Sequence, residues 1–299
     1  MSFTIAHITD PHLSPAPFPA AREFRLKRFM GYVNWKRGRE GANDMTMLAR
    51  LVEDLKAQKP DHVAATGDLV NIGMPAEFRR AAEWMRTLGD PRNVSFVPGN
   101  HDAYVRTAMP LLASTFAPWT TNDAEVTGFP YLRIRSGIAI IGLSSAVPTG
   151  PLMATGRLGA SQLAAFAKIL DWTAARDLAR VVLIHHPPLS KGAPPFRGLT
   201  DAAGFERVIA KHGAEAVLHG HSHIQIIRSL PSRAAQTVSG SVPVLGAPSA
   251  SAAVHDPRRR AAYHLVRIDR EGKKWKIVVR ARGLAFDSEA IGEREPLAV

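Results

Sequence analysis

Short apolar runs alternate along the chain with stretches of helical periodicity. Thr4 to Thr9 reads as a short buried strand, followed by a polar and basic region. Leu48, Leu51, Val52 and Leu55 then recur at helical spacing and predict a helix from about Asn43 to Gln58, ended by Lys59-Pro60. His62 to Thr66 is a strand, Pro75 to Leu88 a helix and Val94 to Pro98 a strand. A less regular stretch follows. "YLRIR" and "IAIIGLSS" then form a hairpin or paired strands around Ser136-Gly137.

Residues 160–175 are helical, with Leu163, Phe166, Ala167 and Leu170 facing inward. Residues 180–186 form a buried strand, 201–212 a helix and 214–220 the next strand. Beyond these the pattern turns to strands at 224–229, 237–245, 261–269 and 274–281. Strands alternating with helices predict an α/β sheet covered on both faces. The strand-rich tail is expected to complete a second sheet. No linker divides the chain, so residues 1–299 are read as one α/β domain, a four-layer αββα sandwich of two mixed sheets flanked by helices.

The composition, 45% hydrophobic and 21% charged, is that of a soluble globular protein. There is no cysteine, which excludes disulfides, thiolate nucleophiles and thiolate metal sites. "MSFTIAHITD" lacks the basic start and the long apolar run of a signal peptide. No stretch approaches the roughly 18 apolar residues that span a bilayer. A cytoplasmic location is expected, or a peripheral one at the inner membrane surface. The net charge of +12 favours anionic partners without choosing among phosphorylated small molecules, nucleic acid and acidic membranes.

Ligand-type residues gather just after the predicted strands. "HITDPHLS" carries Asp10 and His12, "ATGDLVN" Asp68, "VPGNHD" Asn100, His101 and Asp102, "LIHHPP" His185 and His186, and "LHGHSH" His219, His221 and His223. Seven of the 12 histidines (12, 101, 185, 186, 219, 221 and 223) are the ligand-type positions of these strings. Binding sites in open α/β sheets lie outside the carboxyl ends of strands, so five such turns can converge. Carboxylate, imidazole and amide oxygen suit Mn, Fe or Zn. Asp10, His12, Asp68, Asn100, His185, His221 and His223 are too many for one ion and about right for two.

The ordered set "DPH", "GD", "GNHD", "HHPP", "GHSH" resembles the calcineurin-like metallophosphoesterases. "HHPP" and "APSAS" (247–251) are most similar to the branch of class III cyclic-nucleotide phosphodiesterases and glycerophosphodiesterases. The resemblance implies two divalent or trivalent ions (Mn, Fe or Zn). Asp10, His12 and His223 would hold the first and Asn100, His185 and His221 the second, with Asp68 bridging. His101 would be the catalytic histidine facing the substrate. The implied chemistry is hydrolysis of a phosphodiester by a metal-bound hydroxide, with cyclic nucleotides or glycerophosphodiesters as first candidates. Hydrolysis of lipid-linked phosphodiesters or pyrophosphates, or of phosphomonoesters, is the alternative activity, and a metal-bound interaction scaffold the alternative without catalysis.

Several residues stay open. Asp102 either orients His101 or caps the next helix. His186 either takes part in the site or only lines it. His219 reads as lying beneath the site rather than on a metal. His221 and His223 can reach two different ions only if the backbone turns at Gly220. His7, His62, His212, His255 and His264 read as structural.

A basic amphipathic insert, about residues 14–42, leaves directly from the first ligands. Leu26, Phe29, Met30 and Val33 stand at i, i+3, i+4 and i+7, among Arg25, Lys27, Arg28, Lys36, Arg37 and Arg39. It reads as a pocket wall or lid, or, through residues 22–39, as a contact for an anionic membrane surface or lipid substrate. Nucleic acid is disfavoured because the aromatics form no stacking platform. "DPRRR" (256–260) is a solvated turn or an anion-binding rim. The oligomeric state is not set by the sequence.

Overall fold

A computed structural model of the chain describes residues 2–19, 21–123, 128–191, 196–284 and 290–294. Of the insert at about 14–42, Ala20 and the Arg39 side chain lie outside what is described. Two six-stranded mixed sheets pack face to face between helices. The first contains β1 (Ser2–Ile8), β2 (His62–Ala65) and β3 (Val94–Phe96), together with β10 (Ala262–Glu271), β11 (Lys274–Leu284) and β12 (Ile291–Glu293). Its order is β12-β11-β10-β1-β2-β3. The second contains β4 (Tyr131–Arg135), β5 (Ile138–Gly142), β6 (Ala179–Leu183), β7 (Ala216–His219), β8 (Ile226–Pro231) and β9 (Ser241–Gly246). Its order is β4-β5-β6-β7-β9-β8.

The strand-rich tail completes the second sheet as expected, but only in part, and also contributes to the first. β8 and β9 extend the second sheet, while β10 to β12 complete the first. β10 pairs antiparallel along β1, Ala6 opposite Leu265, and so covers the edge that the parallel β1-β2-β3 set would leave open.

Side chains of both sheets meet in a central apolar layer that includes Ile5, Ala64, Ile140, Val181, Leu218 and Val266. Helices α2 (Met45–Ala57), α3 (Pro75–Leu88) and α4 (Met109–Thr120) cover the outside of the first sheet. Helices α5 (Ala160–Ala174) and α6 (Ala202–His212) cover the second. Asp44 caps α2 by accepting the N–H groups of Thr46 and Met47 at 2.8 and 3.0 Å. Leu48, Leu51, Val52 and Leu55 are its buried stripe, as the spacing predicts. On α5 the buried residues are Phe166, Leu170 and Thr173, while Leu163 and Ala167 are only half-buried. No described helix is long and apolar enough to cross a membrane.

Helix α1 (Leu26–Asn34) departs from its sequence pattern. Its apolar stripe does not pack inward: Leu26 is 65% exposed, and Phe29 and Met30 are exposed as well. The side facing the protein carries Lys27, Arg28 and Gly31 instead. Arg28 is buried and donates to the carbonyls of Ile72 and Gly73 at 3.3 and 2.6 Å. Lys27 Nζ donates to the carbonyls of Tyr104 and Thr149, both at 2.8 Å. Backbone carbonyls need donors, and these two cations reach them, so charge rather than apolar packing anchors the helix. Beyond Asn34 the helix widens, with Glu40 N–H bonding to Trp35 O at 3.0 Å, and buries Trp35.

Candidate metal centre

Strands β1, β2, β3, β6 and β7 all end at one edge of the sandwich, where the parallel registers Ile8 with Ala65, Ala65 with Phe96 and Leu183 with Leu218 align them. The turns after them bring Asp10, His12, Asp68, Asn100, His185, His221 and His223 together. Five of these residues have left-handed backbones: Asp10, His12, Asp68, His221 and His223, with φ of 51, 41, 53, 67 and 50°. Such conformations are costly away from glycine and concentrate where the surrounding structure enforces a site. The turn after β7 is centred on His221 rather than on Gly220, and Ser222 N–H bonds back to Gly220 O at 2.8 Å. Gly220 serves close approach: a Cβ there would strike Thr9 Oγ1 and Asp10 Oδ2.

The donors form two groups. In one, Asp10 Oδ1 lies 2.9 Å from His223 Nε2 and 3.9 Å from His12 Nε2, and the two imidazole nitrogens are 3.2 Å apart. In the other, Asn100 Oδ1 lies 2.9 Å from His221 Nδ1 and 3.3 Å from His185 Nε2. Asp68 Oδ2 stands between the groups, 3.9 Å from His12 Nε2 and 3.4 Å from His185 Nε2. Its other oxygen accepts the backbone N–H of His101 at 2.7 Å. Donors bound to one ion at about 2.0–2.2 Å are neighbours at roughly 3 Å, so both groups fit a cation. Nitrogen and oxygen donors without sulfur match Mn, Fe or Zn.

Atoms behind the donors orient them. Nδ1 of His185 donates to Thr66 O at 2.6 Å and Nδ1 of His12 lies 3.3 Å from Val70 O, which turns each Nε2 toward the cluster. Asp10 Oδ2 accepts from Thr9 Oγ1 at 2.7 Å and from His221 N–H at 3.0 Å, leaving Oδ1 toward His223. Ser249, from the "APSAS" string, donates to Asp10 O at 2.6 Å.

The electrostatics favour a cation. Burial opposes charge on His185, but the Asp68 and Asp10 carboxylates overcome it and hold its pKa at about 9. Burial alone would raise Asp10, yet His223 and its neighbours hold that carboxyl well below the usual range. Burial and the positive neighbour His185 push His221 down to about 3. The carboxylates of Asp10 and Asp68 thus draw positive charge into the centre, and a bound cation would take the place of the proton on His185.

His101 faces the pocket and lies outside the two donor groups. Its Nδ1–H donates to Asn71 O at 2.5 Å, which leaves Nε2 for the pocket. Its ring stacks on Tyr104 and meets His12 edge-on, with centroids 5.7 and 4.9 Å away.

Asp102 neither orients His101 nor caps a helix. Fully buried, its carboxylate accepts the backbone N–H groups of Asp68 and Gly99, both at 2.8 Å, and those of Leu69 and Val70 at 2.9 and 3.3 Å. Four N–H donors from two loops thus converge on one side chain. Burial and the Asp68 charge raise its pKa to about 7.

His186 packs against His221, centroids 4.6 Å apart, with Nδ1 2.8 Å from Ser145 Oγ and Nε2 buried without a hydrogen-bond partner. One ring nitrogen each of His185, His186 and His221 lies within 4.8 Å of the others, so His186 borders the second donor group. His219 is buried beneath the site, Nδ1 3.0 Å from Gly220 O, and belongs to neither donor group. Arg197 and Arg259 line a 190 Å³ pocket above the donors, together with Asn100, His101 and His223. Arg259 lies in "DPRRR", whose rim position the sequence left open. Arg197 had no sequence signal, since it follows no strand and belongs to no motif.

Residues 3–225 match the calcineurin-like phosphoesterase family. The chain is 29% identical over 283 residues to a probable cyclic nucleotide phosphodiesterase of Synechococcus sp., covering 92% of this chain and 91% of that protein. It is 28% identical over 197 residues to a glycerophosphodiester phosphodiesterase of Enterobacter lignolyticus, covering 63% of this chain and 58% of that protein. A dimetal phosphatase from Danio rerio shares the fold, with a TM-score of 0.60 at 15% identity, over 94% of this chain and 96% of that one. Strand-end donors converging in two groups, on a sandwich of this topology and with a match over most of the chain, mean that the protein belongs to the calcineurin-like phosphoesterase family and is a metal-dependent phosphoester hydrolase.

Proposed function

We propose that the protein is a phosphodiesterase working with two metal ions, and that cyclic nucleotides and glycerophosphodiesters are its first candidate substrates. The observation that carries the reading is the place of Asp68 Oδ2, within 3.9 Å of His12 Nε2 in one donor group and 3.4 Å of His185 Nε2 in the other. Asp10, His12 and His223 would hold one ion and Asn100, His185 and His221 the second, with Asp68 shared. Mn, Fe and Zn all suit these donors.

When bound, the ions supply positive charge to the phosphoryl oxygens and make water acidic enough to serve as the nucleophile near neutral pH. The chain's own residues do the rest. The Asn71 carbonyl accepts His101 Nδ1–H and so orients the ring with Nε2 toward the pocket, where, with the ring as imidazolium, Nε2–H would donate to the leaving oxygen. Arg197 and Arg259 orient the anion at the rim. Diesters are favoured over monoesters because there is space on both sides of His101. The 190 Å³ pocket meets a second cavity of 510 Å³ at Asn100, His101, Ala154 and Arg197. Two ester substituents can therefore be housed at once.

The test compares bis(p-nitrophenyl) phosphate with p-nitrophenyl phosphate in the presence of Mn²⁺, followed by a panel of cyclic nucleotides and glycerophosphodiesters. Turnover of the diester with little of the monoester is expected. A preference for the monoester overturns the reading, and no turnover with Mn²⁺, Fe²⁺ or Zn²⁺ supports a non-catalytic scaffold.

A further inference from the structure

The larger cavity beside the metal centre is walled by the face of α1 that other proteins bury in a core. Phe29, Met30 and Val33 line it from the helix, and Leu152 and Met153 from the loop opposite. Of these Leu152 is 93% exposed, and a further exposed apolar side chain, Phe196 at 66%, stands beside it. Phe196 belongs to the same rim, since its carbonyl accepts Ala154 N–H at 2.9 Å. Single exposed apolar residues mean little, whereas a contiguous set around one opening marks a binding surface.

The orientation of α1 is not an accident of loose packing. Lys27 and Arg28 anchor the opposite face through the carbonyls of Tyr104, Thr149, Ile72 and Gly73. The fold thus spends charged side chains on holding the helix and keeps its apolar stripe for the cavity. At 510 Å³, that cavity lies within the roughly 300–1,000 Å³ typical of small-molecule sites.

We propose that this cavity is the subsite for a hydrocarbon chain, and that the phosphodiester cleaved carries an acyl or other long aliphatic group. The proposal rests on the phosphodiesterase reading above and narrows it. Continuity with the metal centre selects the occupant. A phosphoryl group at His101 has one substituent directed past Asn100, Ala154 and Arg197, and that path leads onto Phe29, Met30 and Val33. A bare glycerol substituent would leave this wall wet, while an aliphatic chain covers it. Arg37 and Arg197 stand beside the apolar lining, where the charged part of an amphiphile would sit.

The test uses p-nitrophenyl alkyl phosphates with methyl, butyl and octyl groups, below their aggregation concentrations, with Mn²⁺-loaded protein. Burying a methylene is worth up to about fourfold in binding, so kcat/KM is expected to rise at least tenfold from methyl to octyl. In Val33→Asp and Met30→Asp the octyl-to-methyl ratio is expected to fall toward one. Because the readout is a ratio within one preparation, partial misfolding or metal loss cancels. A flat ratio in the unaltered protein overturns the proposal, and so does a rising ratio that neither substitution changes. Binding of methyl-, butyl- and octylphosphonate, followed by calorimetry, gives a second readout without turnover. Tighter binding with chain length, with no hydrolysis of any diester including bis(p-nitrophenyl) phosphate, would uphold the subsite and reject the activity. Equal binding of all three phosphonates rejects the subsite.

Discussion

The Asp102 carboxylate lies 2.8 Å from the backbone nitrogen of Asp68 and accepts its N–H. The same oxygen accepts Gly99 N–H, so one buried carboxylate ties the loop of the shared donor to the loop of Asn100 and His101. Replacing Asp102 by Ala would orphan four buried N–H groups, at about 1–3 kcal/mol each before relaxation. Asp102→Ala is therefore expected to lose several degrees in Tm. In Asp102→Asn the amide NH₂ would confront N–H donors. Its metal affinity is expected to fall by roughly 10- to 100-fold, the usual effect of removing a group that orients ligands. Metal content after dialysis against buffered Mn²⁺ measures this, and unchanged content in Asp102→Asn would show that the clamp does not set the donors.

This role was not legible in the sequence, because its four partners come from two loops that meet only after β2 and β3 pair. The convergence of the five strings was legible, since each follows an apolar strand and they keep a fixed order. Helix α4 was missed for a different reason. "MPLLASTFAPWT" is apolar on every side and carries Pro110 and Pro118, so no 3.6-residue stripe stands out. The sharing of tail strands between two sheets depends on long-range pairing, such as Ala6 with Leu265, that local pattern does not encode. The stripe on α1 was seen correctly as a stripe. Its facing direction was left open, because that depends on carbonyls of Ile72 and Gly73 more than 40 residues away.

Asp68 and His101 should separate in their effects. Asp68 Oδ2 stands between the two donor groups and on the proposed reading would be shared by two ions, whereas His101 faces the pocket and belongs to neither group. Both Asp68→Ala and His101→Ala are expected to lose at least about 100-fold in kcat, within the range for general acid–base groups. Only Asp68→Ala should lose metal by elemental analysis. Equal metal content in Asp68→Ala and the unaltered protein would remove Asp68 from the bridge.

Arg180 and Glu215 form an ion pair with no exposed side-chain surface, Nη2 to Oε1 2.8 Å and Nε to Oε2 2.9 Å. The Arg180 guanidinium also reaches the carbonyls of His212 and Ala234 at 2.7 and 3.0 Å. Glu215→Gln leaves a buried cation uncompensated and is expected to cost about 3–5 kcal/mol. The double variant Arg180→Met, Glu215→Leu should recover much of that loss. Urea unfolding of the three proteins checks both statements, and a double variant no better than Glu215→Gln would contradict the second.

His62 gives the protein an acid-sensitive step away from the metal centre. Burial, with Arg133 and Arg135 nearby, pushes its pKa down to about 3, and its Nε2 bonds to Ser95 Oγ at 2.9 Å. The unfolded chain protonates it near the ordinary value of 6.5. Between those values the unfolded state holds the extra proton, so stability falls as pH falls, by up to about 1.4 kcal/mol per pH unit. His62→Gln keeps a polar partner for Ser95 and removes the titration. From pH 7 to pH 5, in the presence of chelator, it should lose about 2 kcal/mol less than the unaltered protein. Parallel losses in urea unfolding at the two pH values would exclude this role for His62.

Gly31 sets how closely α1 approaches the catalytic loop. A Cβ there would collide with the Tyr104 hydroxyl and stand 2.9 Å from Ile72 Cγ2. In isolation, alanine favours a helix over glycine by about 1 kcal/mol. Here the clash should win, because neither neighbour yields freely. Tyr104 is stacked on His101 at 5.7 Å with Lys27 Nζ 4.4 Å from its ring centre. Ile72 lies on a loop whose N–H groups are held by the Glu77 carboxylate, Asn71 N–H at 2.8 Å and Met74 N–H at 2.9 Å. Overpacking costs about 1–3 kcal/mol, which α1 can relieve only by moving away from the site. Gly31→Ala is therefore expected to raise KM for bis(p-nitrophenyl) phosphate roughly tenfold, at an energy inside that range. Adding Tyr104→Ala removes the main obstruction, so the alanine at position 31 should then change KM far less. If Gly31→Ala leaves KM unchanged in both backgrounds, α1 does not wall the substrate pocket at this distance.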